Sequence, residues 1–251
     1  MDIRDRLGKV GAFANALADN ILSAKFKLAI VEPLISDEIT TLFRKTDGAH
    51  AHDALAVTLI LDLVRDITAF SLDKDTRVAS LANTWEMLRD KDLRSALREI
   101  AATPYRRGSF WGSSLSEEGK AQYLADVDRE DIEQKGKAFD DALARAELGM
   151  DKILNSDLAK KFKIARNKVL AHYEMKASEK TYTLVDLHEA DIKWGSPKEF
   201  LALVEPVIWD VVLVATWGSY DVDGFKEMHR EYANDFWARI QGKGPAESAA
   251  S

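Results

Sequence analysis

The sequence predicts an all-α protein, and three observations carry that prediction. Apolar residues recur at intervals of three and four through most of the chain, which is the spacing of one helix face. Strand signals are scarce: Thr181 to Leu187 is the one candidate, and it is too isolated to build a sheet. Start and stop signals, such as Asp47-Gly48 and Ser196-Pro197, punctuate the periodic stretches.

Taken in order, the first fifty residues read as one or two helices, with a break near Glu32-Pro33 and a turn at Asp47-Gly48. From Asp53 to Ser71 a stripe runs through Val57, Ile60, Leu61, Val64, Ile67 and Phe70, with Asp62, Arg65 and Asp66 elsewhere on the wheel. A second stripe, Val78, Leu81, Trp85 and Leu88, predicts a helix over Asp75 to Asp90 with Asp75 or Thr76 as its cap. The sequence predicts a long helix over 117–148, opening at Ser116-Glu117-Glu118, and another over 157–175, with Asp157 as a candidate N-cap. Phe200, Val204, Val207, Ile208, Val211 and Val214 make a helix apolar enough to be central, with a kink or break expected at Pro206. A last helix covers about Gly224 to Ile240. Residues 1–240 are thus expected to form one domain, and the small, polar tail 241–251 to be disordered.

Composition narrows the chemistry. The 251 residues include no cysteine, which excludes disulfides, thiolate nucleophiles and cysteine-ligated metals. The N-terminus lacks the pattern of a secretory signal, and the longest stretch without a charged residue is Val211 to Tyr220, half of what a membrane span needs. A soluble, cytoplasmic protein is expected, with no membrane association. Walker-type and Rossmann glycine patterns are absent, so neither nucleotide hydrolysis nor a cofactor is expected. His50-Ala51-His52-Asp53 reads as a helix start with surface histidines rather than a metal site, and no metal is expected. His188 and His229 read as structural or surface residues. The tryptophans, Trp194, Trp209 and Trp217 among them, read mostly as core.

The formal net charge of −7 conceals an uneven distribution. Between Lys160 and Lys176, six cations face the single acid Glu174, a local charge of +5, so the remainder carries −12. A basic helix is either a solvated face or a phosphate-binding one. Its opposite is Asp126 to Glu133, five acids with one arginine. In a purely scaffolding protein the basic helix would dock there. Between helices, Thr103 to Ser113 combines Arg106 and Arg107 with Tyr105, Phe110 and Trp111. That loop either plugs the core with its aromatics or stacks on nucleotides.

Within the basic stretch stands Arg166-Asn167-Lys168-Val169-Leu170-Ala171-His172. An arginine, a polar residue directly after it, and a histidine after five intervening residues resemble the motif of HEPN-superfamily RNases. Together with the upstream LVRDITAFSLDKDTRVASLAN, the chain is most similar to the AbiU-type, abortive-infection branch. The resemblance implies a helical bundle of HEPN type with additional N- and C-terminal helices. It also implies a metal-independent endoribonuclease, in phage defence or a toxin–antitoxin system, whose active site lies at a homodimer interface. Arg166 and His172 would be catalytic. Asn167, Lys163 and Lys168 would bind the RNA substrate.

Helix geometry agrees with that arrangement. Six residues turn about 600° and rise about 9 Å, so Arg166 and His172 of one chain stand about 120° apart and converge poorly on one phosphate. A two-fold axis beside the helix brings two pairs into one cleft. The alternative is a non-catalytic HEPN-like module that binds RNA, a nucleotide or a protein partner such as an antitoxin. In some HEPN toxins a tyrosine two residues after the histidine is the target of nucleotide modification. Here Tyr173 follows immediately and Glu174 holds the next position, so that switch is not expected.

Overall fold

The computed structural model describes residues 2–104, 116–167, 175–177, 182–184, 190–218 and 220–242. Among them are nine α-helices: α1 (Ile3–Leu34), α2 (Asp37–Phe43), α3 (Ala49–Leu72), α4 (Leu81–Leu88), α5 (Lys91–Ala102), α6 (Glu117–Asn155), α7 (Asp157–Ala165), α8 (Ser196–Thr216) and α9 (Val222–Ile240). A short antiparallel hairpin, β1 (Met175–Ala177) and β2 (Tyr182–Leu184), pairs Met175 with Leu184 and Ala177 with Tyr182. The protein is all-α apart from this hairpin. None of the described helices is long and apolar enough to cross a membrane.

The centre is α8. Phe200, Val204, Val207, Ile208 and Val211 are buried on it, with Leu201, Val212, Val214 and Ala215 on neighbouring faces, so it is covered from several sides. Its most extensive neighbours are α1 and α6. α1 contributes Val10, Ala14, Leu17, Ala18 and Ile21 at helical spacing, and α6 contributes Phe139, Ala142, Ala146, Met150 and Ile153. Gly149 lets α6 approach α8 closely: a Cβ there would lie 2.3 Å from Val207 Cγ2. α3 lies against α1, α7 and α8 through Ile60, Leu63, Val64, Ile67 and Phe70.

Several local expectations are corrected. The helix expected over Asp75 to Asp90 starts only at Leu81, because Ser80, not Asp75 or Thr76, caps it by accepting the Asn83 N–H. α7 is capped by Ser156, whose Oγ accepts the Ala159 N–H at 3.1 Å. Asp157 is instead its first residue, where a carboxylate suits the helix dipole. The basic helix does not reach 175, since Met175 already pairs in β1. That strand is also why Thr181 to Leu187 is not isolated: its core, β2, has a sequence-local partner. α8 does not break at Pro206: it runs on to Thr216, where packing on α1 and α6 outweighs the one backbone hydrogen bond that proline removes. α5 has no counterpart in the sequence reading, although Asp90 caps it and Leu93, Leu97 and Ala101 form its buried face.

Side-chain expectations also shift. Val57 of the expected α3 stripe is exposed, and Leu63, not named in the stripe, is buried. His52 is buried, not at the surface: its Nε2 lies 2.9 Å from the Leu34 carbonyl and its ring stacks on Phe43. Trp194 is exposed, because it sits in the turn before α8 and off that helix's apolar face, whereas Trp85 and Trp237 are buried. The aromatic–arginine segment 105–113 and most of the tail, 243–251, lie outside the described residues.

Candidate nucleic-acid interface

The site is organised by how α7 is anchored. Ser156 ends α6 and begins α7, so the chain turns over a single residue. Ala159, Phe162 and Ala165 then form the buried face of α7, and Phe162 meets Phe200 of α8 with ring centroids 4.6 Å apart. With that face fixed, Lys160, Lys161 and Lys163 are turned toward solvent or the rim. Lys160 pairs with Asp157 at 2.9 Å and Lys161 with Asp191. Lys163, half-buried, has no ion-pair partner among the described residues.

Arg166 follows Ala165 directly, and at Arg166-Asn167 the helix widens into a π turn. Such a turn departs from the 100° step of a regular helix, and single π turns recur at functional sites. Arg166 Nη2 donates to Asp73 Oδ2 at 2.7 Å, with the arginine side chain 39% exposed and the aspartate 11%. Asn167 is exposed. Lys168 and His172 lie outside the described residues, so the structure places Arg166, Asn167 and Lys163 of the sequence-derived site.

Asp73 was not among the residues singled out by sequence. It sits just past the C-terminus of α3, 93 positions before Arg166, and a tight loop holds it. Its Oδ1 accepts the Asp75 N–H at 2.9 Å, and its carbonyl accepts the Ser80 hydroxyl at 2.5 Å. Asn83 Nδ2 donates to the carbonyls of Asp75 and Val78, closing the loop from the other side. Farther out, Arg77 forks onto the Asp75 carboxylate. The hydrogen bonds from its side chain and backbone pull the Asp75 pKa down to about 2. Asp73 lies inside the LVRDITAFSLDKDTRVASLAN stretch that carries the family resemblance, but no residue within that stretch was assigned a role. Its pairing across 93 residues left no local trace.

The scaffold reading, with α7 docked on the acidic stretch of α6, is not what the structure shows. Arg129 pairs with Asp126 and Lys135 with Asp131 within α6 itself, while the basic residues of α7 turn to Asp157, Asp191 and Asp73. The described end of α7 therefore presents the paired Arg166 guanidinium, the exposed Asn167 amide and the Lys163 ammonium on one rim. These are donors suited to phosphate oxygens.

A family model described as AbiU2, of HEPN type, matches residues 7–236. The chain belongs to the HEPN AbiU2 family. No curated protein and no solved structure matches it. The AbiU2 match takes in α1 through most of α9. Arg166 and its helix therefore lie inside the family unit, as do the α3–α4 loop that holds Asp73 and the central α8. The protein is accordingly an abortive-infection-type HEPN module of the AbiU2 family.

Proposed function

We propose that this AbiU2 protein is a metal-independent endoribonuclease that acts as a homodimer in phage defence or a toxin–antitoxin system. The observation that supports this reading best is the fixing of Arg166 by Asp73. It holds a permanent cation at the end of a basic helix while leaving the guanidinium partly open to a substrate. Five N–H donors on Arg166 leave enough to meet a phosphate after one is given to Asp73. In the proposed reaction the RNA 2′-oxygen attacks the adjacent phosphorus, the P–O5′ bond breaks, and a 2′,3′-cyclic phosphate and a 5′-hydroxyl result. His172 moves the proton between the 2′-hydroxyl and the leaving oxygen, since imidazole exchanges protons near neutral pH. Arg166 neutralises charge on the nonbridging oxygens, and Asn167, Lys163 and Lys168 hold the substrate.

The test is incubation of purified protein with total RNA in EDTA. Wild type is expected to leave cyclic-phosphate ends and to spare DNA, and Arg166→Ala or His172→Ala to abolish cleavage. An inactive wild type, or variants that cleave as well as it does, overturns the proposal. The ion pair to Asp73 also suits a second reading, a non-catalytic module in which the Arg166 cation serves to anchor RNA or a protein partner. Binding without turnover, weakening steeply with salt, is its signature.

A further inference from the structure

We propose that α1, α2, α3 and α9 frame an open-mouthed binding site for an uncharged, hydrocarbon-rich small molecule. A cavity of about 440 Å³ opens between these helices, bounded by Leu34, Phe43, Leu55, Phe236, Trp237 and Ile240. That volume falls within the roughly 300–1,000 Å³ of small-molecule sites. Its polar wall atoms are already spent inside the protein: Trp237 Nε1 donates to the Ile30 carbonyl at 3.0 Å, and His52 Nε2 bonds the Leu34 carbonyl. With nothing left to fix a polar group, the cavity favours a ligand that is almost wholly apolar, and water gains little there.

Two other occupants compete for it. The tail that follows Gly242, Lys243-Gly244-Pro245-Ala246-Glu247-Ser248-Ala249-Ala250-Ser251, has no large apolar side chain to fill such a volume. A second copy of the chain would need a broad face. Such a face would take in the cavity and its surroundings, so a second copy is read directly from the oligomeric state in the experiment below. The site is also separate from the candidate nucleic-acid interface. Leu55 lies eighteen residues before Asp73 along α3 and its end, a span of about 27 Å at helical rise.

The experiment titrates the full chain with diphenylhexatriene, an apolar fluorophore, while sedimentation reports the oligomeric state. Saturable one-to-one binding is expected. It should weaken at least tenfold in Ala51→Trp, which fills the cavity, and in Leu55→Glu, which places a carboxylate at a half-exposed wall position. Ala54→Trp, an exposed change on the same helix away from the cavity, should bind as wild type does, and circular dichroism confirms that each variant is folded. The proposal is overturned by an absence of saturable binding or by equal binding in all variants. Binding that emerges only after removal of residues 243–251, or a dimer that Leu55→Glu dissociates, overturns it equally.

Discussion

Replacing Asp73 by alanine removes two interactions together, and the structure allows each to be sized. The first is the ion pair to Arg166 Nη2 at 2.7 Å. A charge-assisted hydrogen bond contributes about 1.5–3 kcal/mol when well enclosed. Asp73 is nearly buried here but the Arg166 side chain is 39% exposed, so solvent screening lowers the expectation to about 1–2 kcal/mol. The second is the hydrogen bond from the Asp75 N–H that shapes the α3–α4 loop, about 1 kcal/mol. Asp73→Ala should therefore destabilise the fold by about 2–3 kcal/mol. Asp73→Asn, which keeps an acceptor for the loop, should destabilise it by roughly half as much.

The pair itself is isolated by a double-mutant cycle of Asp73→Ala with Arg166→Ala, followed by urea unfolding at constant m value. A coupling of about 1–2 kcal/mol is expected, and it should change little between low and moderate salt because one partner is shielded. Coupling within about 0.3 kcal/mol of zero would refute the reasoning. The loop would then be held by its own hydrogen bonds, and Arg166 would be positioned by α7 alone.

Three further outcomes follow from the packing and the titrating groups. Gly149→Ala should destabilise by about 1–3 kcal/mol, since its Cβ would strike Val207, and Val207→Ala in the same chain should recover part of the loss in urea melts. Asp75, whose pKa is lowered to about 2 by Arg77, should lend stability that is complete above the unfolded value near ~3.9 and is lost as pH falls toward 2; Asp75→Asn should flatten that part of the midpoint-against-pH curve. Burial and nearby Lys25 lower the pKa of His229, so the unfolded chain binds its proton first. Stability should decline as pH falls below about 6.5, and His229→Phe should reduce that decline.

What sequence could and could not reveal here follows from the range of each interaction. Helix faces are local: the spacing of Ile60, Val64, Ile67 and Phe70, or of Phe200, Val204, Val207 and Val211, is visible because a helix repeats every 3.6 residues. Caps are local too, but they compete. Ser156 and Asp157 both qualify, as do Asp75, Thr76 and Ser80, and the choice falls to whichever leaves the apolar residues facing the core. Pro206 does not break α8 because a local penalty of a few kcal/mol is small beside the burial of that helix on two others. At the site, Arg166 and Asn167 were legible as neighbours in a motif, and the charge of their helix as a local excess. Asp73 was not, because its role depends on α3 and α7 lying side by side, which no spacing encodes. The two halves of the site differ in kind for that reason. One is a string of residues whose order carries the chemistry. The other is a carboxylate whose meaning arises only when the bundle closes. If the coupling between Asp73 and Arg166 is real, folding of the α3–α4 loop and formation of the cationic rim are one event, and the rim exists only in the assembled bundle.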